Sequence, residues 1–297
     1  MTKATPSSPA LEVPAADATA LRPLTFPALL AALGALFGLT LRQQARGRRL
    51  LILVILFCLP TAAALLAHYS NAGIRWAGLE LDLVLRLIAN ALVPLTALLY
   101  ASGMIQDEVE EQTLTYLFLR PLPKWAIYLV KLLATLVVTI LLTAVFTTVT
   151  YLALYGRVRG LWGEVLSDRL PKTVALLALA LVGYCSLFGC ISLLVRQVLL
   201  VGVAYIVLFE GVIASIDFAI RQATVIYYFR VLALRWLPVD WSAVSNAGTD
   251  EWGIDLHEAP SNGLCVGMVL AASVVLTALA IYLFTTREFR VKTPQGS

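Results

Sequence analysis

Apolar positions in this chain come in long unbroken runs, not in alternation. Six runs approach or exceed the roughly 20 residues that a helix needs to cross a bilayer. They cover about 50–68, 83–104, 126–155, 173–195, 198–216 and 264–285. In lipid only helices or closed barrels satisfy every backbone group, and runs without a two-residue period select helices. The pattern predicts an all-α integral membrane protein with six transmembrane helices. The third run is long enough to tilt or to extend beyond the bilayer.

The segments between the runs have patterns of their own. Residues 1–25 are rich in Ala, Pro, Thr and Ser with no apolar period, which predicts a disordered tail. No basic stretch there leads into an apolar core, so a cleavable signal peptide is not expected. Over 26–49, Phe26, Leu29, Leu30, Leu33, Leu36 and Phe37 recur at helical spacing and Arg42, Arg46, Arg48 and Arg49 follow. That predicts an amphipathic helix in the membrane interface with a basic anchor; a seventh, short span is the alternative. After the fifth run, Phe218, Val225, Phe229, Leu232 and Trp236 repeat at close to 3.5 residues. They predict a re-entrant or interfacial segment within 217–263, on the outer side, with Trp241 and Trp252 at interfacial level. Residues 286–297 form a C-terminal tail.

Composition agrees with the pattern. The chain has 297 residues, 60% of them hydrophobic and 13% charged, where soluble domains carry roughly 25% charged residues. The net charge of +4 is small and its basic residues flank apolar runs, so nucleic-acid binding is not expected. Four cysteines (Cys58, Cys185, Cys190, Cys265) lie in or at the edge of apolar runs and read as small buried hydrophobes. With two distant histidines, His68 and His257, they offer no metal site. Four arginines precede the first run and only Arg75 stands between it and the second. The positive-inside rule then places both termini in the cytoplasm.

That orientation puts the stretch "MIQDEVEEQTLTYLFLRPLPKW" in the cytoplasm, between runs two and three. Four carboxylates fall within 107–111. Leu114, Leu117 and Phe118 share a helical face, Glu108 and Glu111 sit where a helix dipole favours negative charge, and Pro121 and Pro123 stop the helix. The spacing predicts a short helix over 105–120 with an acidic end and an apolar face, fixed to two spans.

Glu108, Glu111, Thr113-Leu114, Leu117, Pro121-Leu122, Lys124 and Lys131-Leu132-Leu133 resemble the signature that follows the second span of ABC-2 type transporter permeases. The sequence departs from that signature at Gln112, Pro123 and Val130. The resemblance implies the ABC-2, type V exporter-like architecture and an ATP-driven transporter, usually an exporter, in a bacterial plasma (inner) membrane. It implies partners: two cytoplasmic ABC ATPase subunits per complex and a second permease, identical or paralogous, set among membrane lipids. It makes the short helix the ATPase-coupling element, with Glu108, Glu111, Thr113, Leu114, Leu117, Phe118 and Pro121 as its residues. No G-x-x-x-x-G-K-[ST] occurs in the chain. The permease would therefore bind no cofactor directly, ATP and Mg would sit on the partner subunit, and no catalytic or metal residue is expected.

Two ionisable residues interrupt the spans, Arg86 and Glu210, with Asn90 near the first. A charge at mid-bilayer costs about 2.5–3.5 kcal/mol on insertion scales, so these three are candidates to line a translocation pathway. By position along their helices both charges are expected in the outer half. The competing readings are an ion-coupled secondary transporter, which would show an internal repeat, and an integral-membrane enzyme, for which no constellation has suitable spacing.

Overall fold

The computed structural model describes residues 26–69, 76–110, 123–156, 162–212, 222, 224–237 and 259–286. The tail over 1–25, the segment with Trp241 and Trp252, and the residues from 287 onward lie outside the described residues. Those described form helices, with no strand among them. In chain order the helices are α1 (Phe26–Arg46), α2 (Arg48–Tyr69), α3, α4 (Lys124–Tyr155), α5, α6, α7 (Val225–Trp236) and α8 (Asn262–Thr286). Three of them contain a wider, π-helical portion. α3 runs from Trp76–Glu80 through π-helical Leu81–Leu92 to Val93–Glu110. α5 runs from Trp162–Glu164 through π-helical Val165–Arg169 to Leu170–Leu194, and α6 is Val198–Tyr205 followed by π-helical Ile206–Val212.

Proline accounts for two of the wide turns. Pro94 and Pro171 have no N–H to give the carbonyl one turn back, so a carbonyl is released and the ladder slips by one residue. The π portions of α3 and α5 end one residue before Leu170-Pro171 and Val93-Pro94 begin.

Helix directions follow from side-chain register. Leu36 of α1 packs on Ile127 of α4, and Gln44 bonds Thr135 farther along both helices. Phe57 of α2 stacks on Phe146 and the Thr61 and Thr150 hydroxyls are 3.1 Å apart. α1 and α2 therefore run in one direction along α4, broken only at Gly47. α3 returns beside them: Val84 clusters with Ala64, and Asp107 meets Arg49 at the opposite end. α5 descends from Thr173, bonded to Tyr151, and its terminal Val195 carbonyl meets Gln106 of α3. α6 rises against α3 so closely that a Cβ on Gly202 would stand 2.1 Å from a Leu98 methyl. α8 runs alongside α5, with Val269 near Gly183 and Phe284 against Tyr128.

One buried cluster unites α3, α5, α7 and α8 around Ile88, Leu98, Tyr184, Phe188 and Leu232. Leu51, Ile55, Leu141, Leu200 and Val274 point outward and are well exposed. An outer surface this apolar is what hydrocarbon, not water, would cover.

Six helices are long and apolar enough to cross a membrane: Pro27–Arg46, Arg48–Ala67, Gly78–Asp107, Lys124–Tyr155, Val165–Leu194 and Asn262–Thr286. Five match expected runs. The sixth expected run is described only as Val198–Val212, too short by itself to span, while α1 qualifies in its place by length and composition. Since α1 and α2 point the same way with no reversal between them, they cannot be two successive full crossings. Cys58 corrects an expectation, for it is exposed on α2 and not buried.

Candidate functional site

Three polar clusters interrupt this apolar body. The first is at the end of the bundle where the acidic stretch begins. α3 arrives there held by three neighbours. Arg49 of α2 bonds Asp107 at 2.6 Å. Gln106 donates its amide to the carbonyls of Arg196 at 3.0 Å and Val195 at 3.3 Å, in the turn between α5 and α6. The buried Lys131 of α4 donates to the Met104 carbonyl at 3.1 Å. Gly103 makes room for the arrangement, since a Cβ there would fall on the Arg49 guanidinium. The ion pair is partly exposed and worth at most about 1 kcal/mol. Its value is positional: it ties the start of the acidic stretch to the basic residues that open α2.

The second cluster lies at the end of α6. Glu210 is 2% exposed. Its carboxylate accepts from the Tyr205 hydroxyl at 3.1 Å and from the Ile226 N–H, in the first turn of α7, at 3.3 Å. The N-terminus of a helix is a favourable seat for a carboxylate. Tyr184 of α5 and the buried Arg230 of α7 stand within electrostatic reach of Glu210. The Tyr184 hydroxyl is buried and closes no hydrogen bond among the described residues. α7 starts level with Gly183, against which Val225 packs, so Glu210 sits beside the middle of α5.

The third cluster is at the far end. Glu80, also 2% exposed, accepts from Tyr151 at 2.8 Å and from Tyr155, and Arg169 pairs with it at 3.3 Å. Arg169 in turn holds Glu164 at 3.0 Å, and Thr173 lies 3.0 Å from the Tyr151 hydroxyl. Both oxygens of this carboxylate are engaged.

The residues singled out from sequence fall unevenly on these clusters. Glu210 lies inside one, but level with the middle of α5 and not in an outer half. Arg86 pairs with Asp82 one helical turn away at 3.0 Å, half-buried, and the Asn90 Oδ1 is buried with no hydrogen-bond partner among the described residues. Both lie on the π-helical part of α3, which packs beside that of α6. Glu108 lies far along α3, which runs unbroken from Val93 to Glu110, so 105–110 do not open the separate short helix that the spacing predicts and Glu108 is not in a first turn; Glu111, Thr113, Leu114, Leu117, Phe118 and Pro121 lie outside the described residues. Arg230 of α7 is buried as well. Reading the sequence missed Glu80, Tyr151, Tyr155, Tyr184, Tyr205 and the Arg49–Asp107 pair. A signal existed for the last: Asp107 opens the acidic run and Arg49 closes the basic one.

A family model described as "ABC-2 family transporter protein" matches residues 46–219, more than half of the chain. No curated protein matches it.

Proposed function

The chain belongs to the ABC-2 family of transporter permeases, and on that premise we propose that it is the membrane subunit of an ATP-driven exporter whose ATPase is a separate chain. Membership makes it a multi-pass membrane protein with a role in transport. The proposal adds direction, energy source, a dimer of permeases with two ATPase subunits, and a bacterial inner membrane with both termini cytoplasmic. In this reading the coupling element lies within 105–120, its first residues being the end of α3, which runs on to Glu110. Leu114, Leu117 and Phe118 seat in a groove of the ATPase, and Glu108 and Glu111 meet basic groups there. α1, which runs along α4 and not in the plane of the interface, would carry the basic anchor at its C-terminal end.

The observation that carries this reading is the threefold hold on α3 at Met104, Gln106 and Asp107. A push on the acidic stretch reaches α2, α4 and the α5–α6 turn together. The far end of that motion would be Glu210, where α6 meets the start of α7. Arg86 and Asn90, on the neighbouring face of α3, would line the same route for substrate.

The test is purification of the tagged full chain in mild detergent, with identification of what accompanies it and an assay of ATP hydrolysis. An ATPase subunit at stoichiometric amount, lost on reversing Glu108 and Glu111 to Lys while thermal stability stays unchanged, is the expected outcome. A chain that purifies alone in several detergents, or a double reversal that leaves ATPase binding and transport intact, overturns it.

A further inference from the structure

One face of α4 is a row of buried threonines. Thr135, Thr139, Thr143, Thr147 and Thr150 recur every third or fourth residue, and none is more than 1% exposed. The line formed by α1 and α2 lies along this row and is hooked to it at two places. The Gln44 amide N–H donates to Thr135 at 2.7 Å, and farther along the hydroxyls of Thr61 and Thr150 are 3.1 Å apart. Each hook has an idle group beside it. The Thr147 hydroxyl, one turn before Thr150, is buried with no hydrogen-bond partner, as is the Thr143 hydroxyl before it. At the other hook the Gln44 Oε1 is buried with no partner. Buried polar groups in native structures rarely stay unbonded.

One displacement accounts for both ends. Moving α1 and α2 together by one helical turn, about 5.4 Å, toward the start of α4 carries Thr61 from Thr150 to Thr147. The same step carries Gln44 from Thr135 to the level of Lys131, whose ammonium is a donor for the idle Oε1. An ammonium has three N–H groups, so Gln44 does not have to displace the Met104 carbonyl. Gln44 and Lys131 already line one open cavity of about 360 Å³, which leaves their side chains room to move. Phe57 passes from Phe146 to Leu142, four residues earlier on α4. The opposite step has no such match. It sets Thr61 level with the apolar Leu154, and Gln44 level with Thr139, whose hydroxyl already bonds the Thr135 carbonyl.

Packed helices are known to switch between discrete registers by steps of one turn. We propose that α1 and α2 form a ratchet with two registers on α4, the one described and one a turn nearer the start of α4. The two registers belong to this chain alone, so the transporter assignment can fail while the ratchet stands.

The experiment measures a distance in the purified full chain in detergent. Cys58 of α2 is exposed while Cys185, Cys190 and Cys265 are buried, so one nitroxide goes onto Cys58. The second goes onto the first turn of α4 through Trp125→Cys, an exposed position. By register the two sites stand about 33 Å apart along α4, at 1.5 Å per residue. Dilution with unlabelled chain removes distances between copies. Pulsed electron spin resonance should find the distance of the described register and a component about 5 Å shorter. Thr150→Val and Thr135→Val each release one hook of the described register at constant side-chain shape. Each should raise the shorter component about fivefold, the weight of one hydrogen bond. The two sites are about 22 Å apart along α4, so a local packing loss at one does not imitate the other. Adding Thr147→Val to Thr150→Val should reverse the gain, and Thr148→Val, off the row, should change the distribution less than about twofold. One unmoved distance in both single variants, or a gain that Thr147→Val leaves in place, would overturn the ratchet.

Discussion

Glu80 and Glu210 are two buried carboxylates built from the same parts, each with two tyrosines and an arginine. They differ in how completely those parts close. Around Glu80 both tyrosine hydroxyls and Arg169 reach the carboxylate, and Arg169 passes on to Glu164. Around Glu210, among the described residues, Tyr205 and the Ile226 N–H bond it at 3.1 and 3.3 Å, while the Tyr184 hydroxyl is near enough to interact but outside hydrogen-bond geometry. Satisfied buried networks rigidify a structure, and partly satisfied ones leave polar groups ready to change partner. The comparison separates a clamp, at the far end of α3, α4 and α5, from a joint, between α6 and α7.

The largest effect should come from breaking the clamp. Glu80→Ala strands the partly buried Arg169, and removing one member of a buried pair costs about 3–5 kcal/mol. Thermal unfolding in detergent should show it as a large drop in Tm. A drop no larger than that of a surface substitution would show that Glu80 is not a clamp. The tyrosines sharpen the contrast. Tyr155→Phe removes a closed bond and should cost about 1–2 kcal/mol, whereas Tyr184→Phe should be neutral or slightly stabilising, since its hydroxyl closes no bond. Equal losses in the two Tm values would erase the difference between the sites.

Glu210→Gln keeps an acceptor for Ile226 and Tyr205 and should change stability by less than about 1 kcal/mol. On the transporter reading it should still lower transport about tenfold, with ATPase subunits bound as before. Transport unchanged in a well-folded variant would leave Glu210 a structural helix cap. The smallest stability effect belongs to Arg49→Gln, at most about 1 kcal/mol for a partly exposed pair. Its readout is the coupling of ATP hydrolysis to transport, which should fall while Tm holds.

Much of the fold was legible in the sequence because insertion into lipid is written in run length. The 126–155 run became Lys124–Tyr155 almost to the residue. Glu210 stood out because a charge within an apolar run is conspicuous. Glu80 did not, because it falls just before the run that begins at Leu83, where a carboxylate looks like ordinary loop chemistry. The burial of Arg230 was not legible for a related reason: a 3.5-residue period reports one apolar face and does not say what covers the other. The α7 helix is enclosed by α5 and α8, and only the three-dimensional packing supplies that cover. The Arg49–Asp107 pair joins residues 58 apart in sequence, and hydropathy averaged along the chain contains no such pairing.

The wide turns that end at Pro94 and Pro171 carry a mechanical consequence. A π turn stores one residue more than the α turn it replaces. Each residue of an α-helix accounts for about 100° of rotation. Releasing or absorbing that residue would swivel one half of α3 or α5 against the other like a screw thread slipping by a fixed notch, with every backbone bond still made on both sides. The two helices that carry Glu80 and Arg169 at one end and Asp107 and the Val195 carbonyl at the other can thus transmit torque, and not only tilt, along their length.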